Sequence, residues 1–360
     1  MVAWAVSGSL LAGCWKDDRA EIPADELSFQ PETEAPLGWV VAPIEVPLDC
    51  PDGTRARFFV LYPDEAADTP LPVALMLHSG SWDFVFAPDA SSPLLGTHFR
   101  APDRLTAKWA ARQVFVHLGM YPEQDETELH EGLLPAAFAD DGVAVMLPAN
   151  CWGDLWANKR GGSDNDFSLD FYFREGLAAV EWAYRFLVDP AFAAALDVTL
   201  PITADPAQIF GVGLGEGGRG IVELAAIDND DDGVGDYPLA GMVVDSPPDD
   251  LRVYFDNPAL YASTVAGLQR IFPAGPDATA RGSVWGTPTL PERIGYIYST
   301  ADSQRPAGQH TAALARLDGM PGAWTLDTAA DQPVAINGGD ADLAAQVVQF
   351  LRNGALTPNR

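Results

Sequence analysis

Lysine, cysteine and histidine are all scarce in this chain, and each scarcity narrows what it can be. Lysine stands only at Lys16, Lys108 and Lys159, against 51 acidic residues in 360, and the net charge is −30. A surface of that sign repels phosphate backbones and anionic lipid, which argues against nucleic acid as a partner. With only Cys14, Cys50 and Cys151, a disulfide framework is excluded as the main source of stability. Long apolar runs are missing too. From residue 39 onward none approaches the roughly 18 residues that a helix needs to cross a bilayer. The histidines are His78, His98, His117, His130 and His310, and none follows His310. What remains is 48% hydrophobic and 20% charged, the composition of a globular chain. We read residues 38–355 as one domain, since α/β units often run to this length around a single core.

The first residues, Met1 to Cys14, are apolar and small and give way abruptly to Lys16-Asp17-Asp18-Arg19. Leu11-Ala12-Gly13-Cys14 resembles the lipobox of a bacterial lipoprotein signal. That resemblance implies a signal peptide over 1–13, acylation of Cys14 and a membrane anchor at the cell envelope, with ordinary secretion as the alternative. Residues 14–37, rich in Asp, Glu and Pro, read as a solvated tether.

Beyond the tether, Trp39 to Val46 and Arg57 to Tyr62 read as a hairpin around Asp49-Cys50-Pro51-Asp52-Gly53. Short continuous apolar runs at Pro72 to His78, Gly142 to Leu147, Gln208 to Val212, Gly241 to Val244 and Ile294 to Tyr298 read as strands buried on both faces. Helical periodicity appears over Phe171 to Leu187. It returns at the end of the chain, where Leu343, Val347, Phe350 and Leu351 share a face, Asp340 or Asp342 caps the start and Gly354 supplies the stop. Alternating strands and helices predict a mostly parallel sheet covered on both sides.

The chemistry centres on Gly211-Val-Gly213-Leu-Gly215-Glu216-Gly217-Gly218, a strand running through a tight glycine turn into a helix. It resembles the nucleophile elbow G-x-S-x-G of the α/β-hydrolases, the esterase and prolyl-oligopeptidase-like type, in which flanking glycines let the backbone expose a strained serine. Gly213, Leu214, Glu216, Gly217 and Gly218 fit the pattern. Gly215 stands at the nucleophile position and has no hydroxyl. Upstream, His78-Ser79-Gly80-Ser81-Trp82 resembles the H-G-G-x-W oxyanion turn of the same esterases. The resemblance assigns oxyanion-type positions to Gly80, Ser81 and Glu216, and the triad acid to Asp302, after the strand ending at Tyr298. The triad histidine belongs after the last strand, near Ala335 to Asp340, where there is none. His78 reads as ordering its loop and His310 as a solvated helix residue. A serine–histidine–acid mechanism needs its base within hydrogen-bond reach of the hydroxyl, so the resemblance implies the fold with a degenerate triad.

Residues 84–141 exceed one crossover helix and predict a cap-containing insertion over the carboxyl edge of the sheet, where ligands bind in such folds. Trp82, Trp152 and Trp156 face that edge, either packing the cap or lining a retained pocket. Asp228-Asn-Asp230-Asp-Asp232-Gly233-Val234-Gly235-Asp236 follows the first nine positions of a calcium loop, with ligands expected from Asp228, Asp230, Asp232, Val234 and Asp236. Leu239 replaces the glutamate of position twelve, so a weak structural calcium site competes with a plain acidic loop. No organic cofactor is expected. Cys50 and Cys151 face the same sheet edge in this family's topology, and a disulfide or two free thiols both fit.

Three readings follow. The first is a non-catalytic envelope protein that binds a small molecule or protein partner in the former active-site pocket. The second is an ester or peptide hydrolase with a non-standard nucleophile. The third takes Gly213-x-Gly215-x-x-Gly218 as a dinucleotide fingerprint, with Asp245 as the ribose-binding acid.

Overall fold

The computed structural model describes residues 39–49, 55–64, 69–77, 134–148, 176–256, 258–259, 265, 283–286, 290–301, 308–329 and 341–354. They form one eight-stranded sheet in the order β1-β2-β4-β3-β5-β6-β7-β8. The strands are β1 (Trp39–Asp49), β2 (Arg55–Pro63), β3 (Leu71–Leu77), β4 (Ala144–Pro148), β5 (Ala204–Leu214), β6 (Gly241–Asp245), β7 (Ile294–Tyr298) and β8 (Ala323–Asp327). β2 pairs antiparallel with both β1 and β4, and every later pair is parallel. The expected hairpin is therefore present.

Continuous apolar sequence explains the inner strands. All five residues of β4 and of β6 are buried, as are the last five of β3, which suits strands covered on both faces. β8 lies at the edge, with Thr325 and Asp327 exposed. A criterion based on apolar runs passes over such a strand, because only one of its faces needs apolar residues.

The helices are α1 (Leu134–Asp140), α2 (Gly176–Val188), α3 (Pro190–Ala195), α4 (Glu216–Ala225), α5 (Val253–Asp256), α6 (Thr311–Leu317) and α7 (Ala341–Asn353). In α2 the predicted stripe is buried at Val180, Tyr184 and Leu187. In α7 Leu343, Val347, Phe350 and Leu351 are buried, and Gly354 follows at φ 71°, the left-handed conformation that ends a helix. A side chain at Gly211 would meet Ile221 of α4. On the other face Trp324 of β8 packs its ring 5.4 Å from that of Phe350 of α7. Helices thus cover both faces, α4 on one and α7 on the other. Residues 134–140 of the expected 84–141 insertion form α1, which carries core residues Leu134 and Phe138 and packs against α7, β4 and β2.

Candidate functional site

The carboxyl edge of β5 is where the chain turns most sharply. β5 ends at Leu214, Gly215 takes φ 55° and ψ −123°, and α4 starts at Glu216. The Gly215 N–H donates to the carbonyl of Asp245 across the sheet at 2.8 Å, while the Gly215 carbonyl accepts from Gly218 N–H at 2.9 Å to begin the helix. A Cβ on Gly213 would lie 2.4 Å from Gly218 Cα and 2.5 Å from the Gly217 carbonyl oxygen. Gly213 is thus required by the close approach of helix to strand, and Gly215 is favoured by its positive φ. β3 lies on the other side of β5, with Leu77 opposite Gly213. Chain direction across the sheet reverses between β3 and β5, which makes this the crevice where open α/β sheets bind ligands.

Several expected positions lie outside the described residues: Cys14, Cys50, Gly80, Ser81, Trp82, Cys151, Trp152, Trp156 and Asp302. Glu216 opens α4 at the elbow. Asp245 ends β6 beside Leu214 and is fully buried. The glycine fingerprint sits on the fifth strand of a mixed sheet, and a fully buried Asp245 presents no carboxylate to a ribose, so the geometry favours the elbow reading of these glycines.

Three features of this edge escape a reading of the sequence. The first corrects the expectation for His310. Instead of standing in solvent, it is half-buried, with Nδ1 2.8 Å from the hydroxyl of Tyr296 and its ring 5.2 Å from that of Tyr298. The cause is tertiary. α6 starts at the carboxyl edge, and the alternate residues Tyr296 and Tyr298 of β7 share the face it covers. Nothing near His310 in sequence carries that signal beyond the Tyr-x-Tyr spacing.

The second is Ser246, the residue after β6, which is 1% exposed and held at φ 48° immediately before Pro247. Its N–H donates to the carbonyl of Ile297 at 2.8 Å. The third is a buried polar clamp. Arg219 of α4, 1% exposed, pairs with Glu223 at 3.0 Å and donates to the carbonyls of Pro248 and Asp249. The Asp249 carboxylate accepts from Val284 N–H at 3.2 Å, and Gln309 accepts from Asp249 N–H while donating to the Asp250 carbonyl at 2.9 Å. Burial pushes the Asp249 carboxyl up, against the pull of hydrogen bonds from Ser283 and Val284 and of the Arg219 charge. Elbow helix, post-β6 loop, the 283–286 turn and the start of α6 are thereby held as one body. At the end of β8, the N–H of Ala329, the N–H and hydroxyl of Thr300 and the nearby His310 hold the Asp327 carboxyl below its usual range.

The acidic loop joins α4 to β6 and therefore lies at the opposite edge of the sheet from the elbow. One carboxylate oxygen each from Asp228, Asp230 and Asp232 comes within 4.8 Å of the others. Gly233 N–H donates to Asp228 at 2.9 Å and Val234 N–H to Asp232 at 2.7 Å. Asp236 instead accepts from the backbone and side chain of Asn229. Leu239 is buried, with its Cδ1 2.8 Å from where a Gly211 side chain would begin, so core packing occupies the position where a calcium loop would place its glutamate.

No protein family matches the sequence, and no curated protein resembles it. Solved structures do. Carboxyl esterase 2 of Tuber melanosporum is 14% identical, covers 92% of this chain and 96% of its own, and superposes with a TM-score of 0.51. An inhibited esterase B from Lactobacillus rhamnosis is 14% identical over 89% of this chain and 87% of its own, with a TM-score of 0.51. A puromycin-hydrolyzing peptidase of Mycobacterium tuberculosis is 14% identical over 87% of this chain, with a TM-score of 0.50. The chain spans 40% of that peptidase and 37% of the oligopeptidase B of Leishmania major. Strand order and these likenesses together define an α/β-hydrolase fold.

Proposed function

We propose that the chain is a ligand-binding protein built on the α/β-hydrolase fold, in which position 215 does no chemistry. The observation that carries this reading is Gly215 in the conformation φ 55°, ψ −123°: the turn survives where the hydroxyl does not. A residue without a side chain neither attacks a carbonyl nor takes a proton. The ligand is a small molecule or partner entering the crevice between β3 and β5. Acylated Cys14 holds the protein at a bacterial cell envelope. The test screens the intact chain for ligands that raise its unfolding temperature, and assays ester and peptide hydrolysis alongside. Ligand-induced stabilisation without turnover, in the wild type and in Gly215→Ser, supports the reading. Turnover that a crevice substitution abolishes refutes it.

A second reading, an ester or peptide hydrolase with another nucleophile, is favoured by the placement of His310 against Tyr296 at the carboxyl edge. The Asp228–Asp232 loop, for its part, fits a structural calcium ion: three hard oxygen donors converge there, and Val234 can add its carbonyl. Calcium at that edge braces the α4–β6 connection and takes no part in events at the elbow.

A further inference from the structure

We propose that the cavity between α2, α3 and the start of β5 is a second ligand site, one that takes an organic cation with an apolar body, such as a long-chain amine. This goes beyond the reading above and is independent of it, because the cavity lies at the amino edge of the sheet. β5 begins at Ala204 in the cavity wall and ends at Leu214 beside the elbow. At about 3.3 Å per residue the two ends of that strand are roughly 30 Å apart.

The cavity follows from the way the chain passes from α2 into β5. α2 ends at Val188, Asp189 caps α3 by accepting from the N–H groups of Ala191 and Phe192 at 3.1 and 3.0 Å, and residues 196–203 lead on to the strand. Phe186, Leu187, Ala193 and Val198 give the space a buried apolar floor, and half-buried Leu200 and Ile202 add to its wall. Its volume is about 540 Å³. Small-molecule sites run to roughly 300–1,000 Å³ and are mostly apolar with a few placed polar groups. Here those groups are Asp197, Thr199 and Thr203, all exposed and therefore at the mouth. An apolar floor under a polar mouth suits an amphiphile that enters tail first.

Charge selects the cation. Asp197 is the only ionisable residue among the described residues of the lining, and among the described residues its carboxylate has no hydrogen-bond or ion-pair partner. The charged side chains nearby in sequence are engaged: Asp189 with the start of α3, Asp205 with Ala207 N–H and Gln208, and the Arg185 guanidinium 3.5 Å over the ring of Phe192. The fold does not demand the charge either. Asp197 stands at φ 57° where α3 ends, its N–H donating to the Ala194 carbonyl at 3.1 Å and Val198 N–H to the Ala193 carbonyl at 2.9 Å. Glycine or asparagine closes such a turn as well. A carboxylate beside the carbonyl end of a helix is repelled by it, so a cation at the mouth relieves that repulsion as it pairs with Asp197.

Titration calorimetry of the full chain with decylamine, decanol and decanoate tests the proposal, since the three share a chain and differ in head group. Decylamine, a cation at neutral pH, is expected to bind about tenfold more tightly than decanoate, with decanol between them. Shortening the amine by two methylenes is expected to weaken binding about tenfold, at about 0.8 kcal/mol for each buried methylene. Asp197→Asn keeps the turn and is expected to weaken decylamine about threefold or more while leaving decanol unchanged. Asp318→Asn removes the same charge at an exposed residue outside the cavity and is expected to change neither. A decylamine carrying a diazirine at its chain end is expected to label residues 186–206, read by peptide mapping. Absence of decylamine binding, equal affinity for the three head groups, an unchanged amine affinity in Asp197→Asn, or a label elsewhere in the chain overturns the proposal. Each of these failures leaves the reading of the elbow crevice standing, because that reading is judged by ligands that enter between β3 and β5.

Discussion

Gly213→Ala tests whether the elbow's glycines are there for packing. The added Cβ would lie 2.4 Å from Gly218 Cα, 2.5 Å from Gly217 O and 2.6 Å from Gly218 N. All three are backbone atoms, so no rotamer change relieves the clash and α4 must shift away from β5. Overpacking costs about 1–3 kcal/mol, and a clash against backbone belongs at the upper end. At about 2–4 °C per kcal/mol for a domain of this size, three kilocalories correspond to a Tm lowered by roughly 6–12 °C. Two other glycines calibrate the scale. Gly286→Ala meets open space at an ordinary φ and should leave Tm within about 1 °C. Gly142→Ala also meets open space but at φ +72°, so it isolates backbone strain, about 1 kcal/mol or 2–4 °C. Differential scanning calorimetry of the three variants gives the ranking. If Gly213→Ala unfolds with Gly286→Ala, the close helix–strand approach described here is wrong.

Gly215→Ser places a side chain at φ 55°; it is expected to lower Tm by a few degrees, at about 1 kcal/mol of strain, and to yield no esterase turnover from position 215. Calcium is expected to raise Tm: with free ion at a hundred times Kd the stabilisation is about 2.7 kcal/mol, and it should vanish in Asp230→Asn and with a chelator. Asp327 has a folded pKa below its unfolded value. Its contribution is therefore present above the unfolded pKa, about 3.9, and is lost as pH falls through the folded one. Asp327→Asn should accordingly flatten the acid limb of the stability curve below about pH 4, followed by denaturant titration at successive pH values. Asp249, raised by burial, has the opposite sign: its contribution is full below the unfolded pKa and is lost as pH rises through the folded one.

How much of this was legible in the sequence depended on the range of the forces involved. β3, β4 and β6 announce themselves because strands buried on both faces need unbroken apolar sequence. The elbow is legible because only glycine fits at Gly213, a local steric demand. The acidic loop is equally local, with its turn hydrogen bonds running between residues two to five apart. β8 is hidden by its exposed alternate residues, and the role of His310 by distance, since its partner Tyr296 lies fourteen residues away on another element. Ser246 is the hardest case. Ser-Pro read locally predicts extended backbone, and only the join between β6, the Ile297 carbonyl and the Arg219-held loop imposes a positive φ.

Gly215 and Ser246 stand side by side at the carboxyl edge and resolve the same backbone demand in opposite ways. Both have positive φ, 55° and 48°. At 215 glycine satisfies the turn without strain. At 246 a side chain is retained where glycine would be about 1–2 kcal/mol more favourable. Position 215 is therefore accounted for by geometry alone, and position 246 is not. Ser246→Gly should raise Tm by a few degrees at that gain, the opposite of what truncating a well-packed buried residue does. A lowered Tm would mean that the serine is held by packing or hydrogen bonding worth more than its strain.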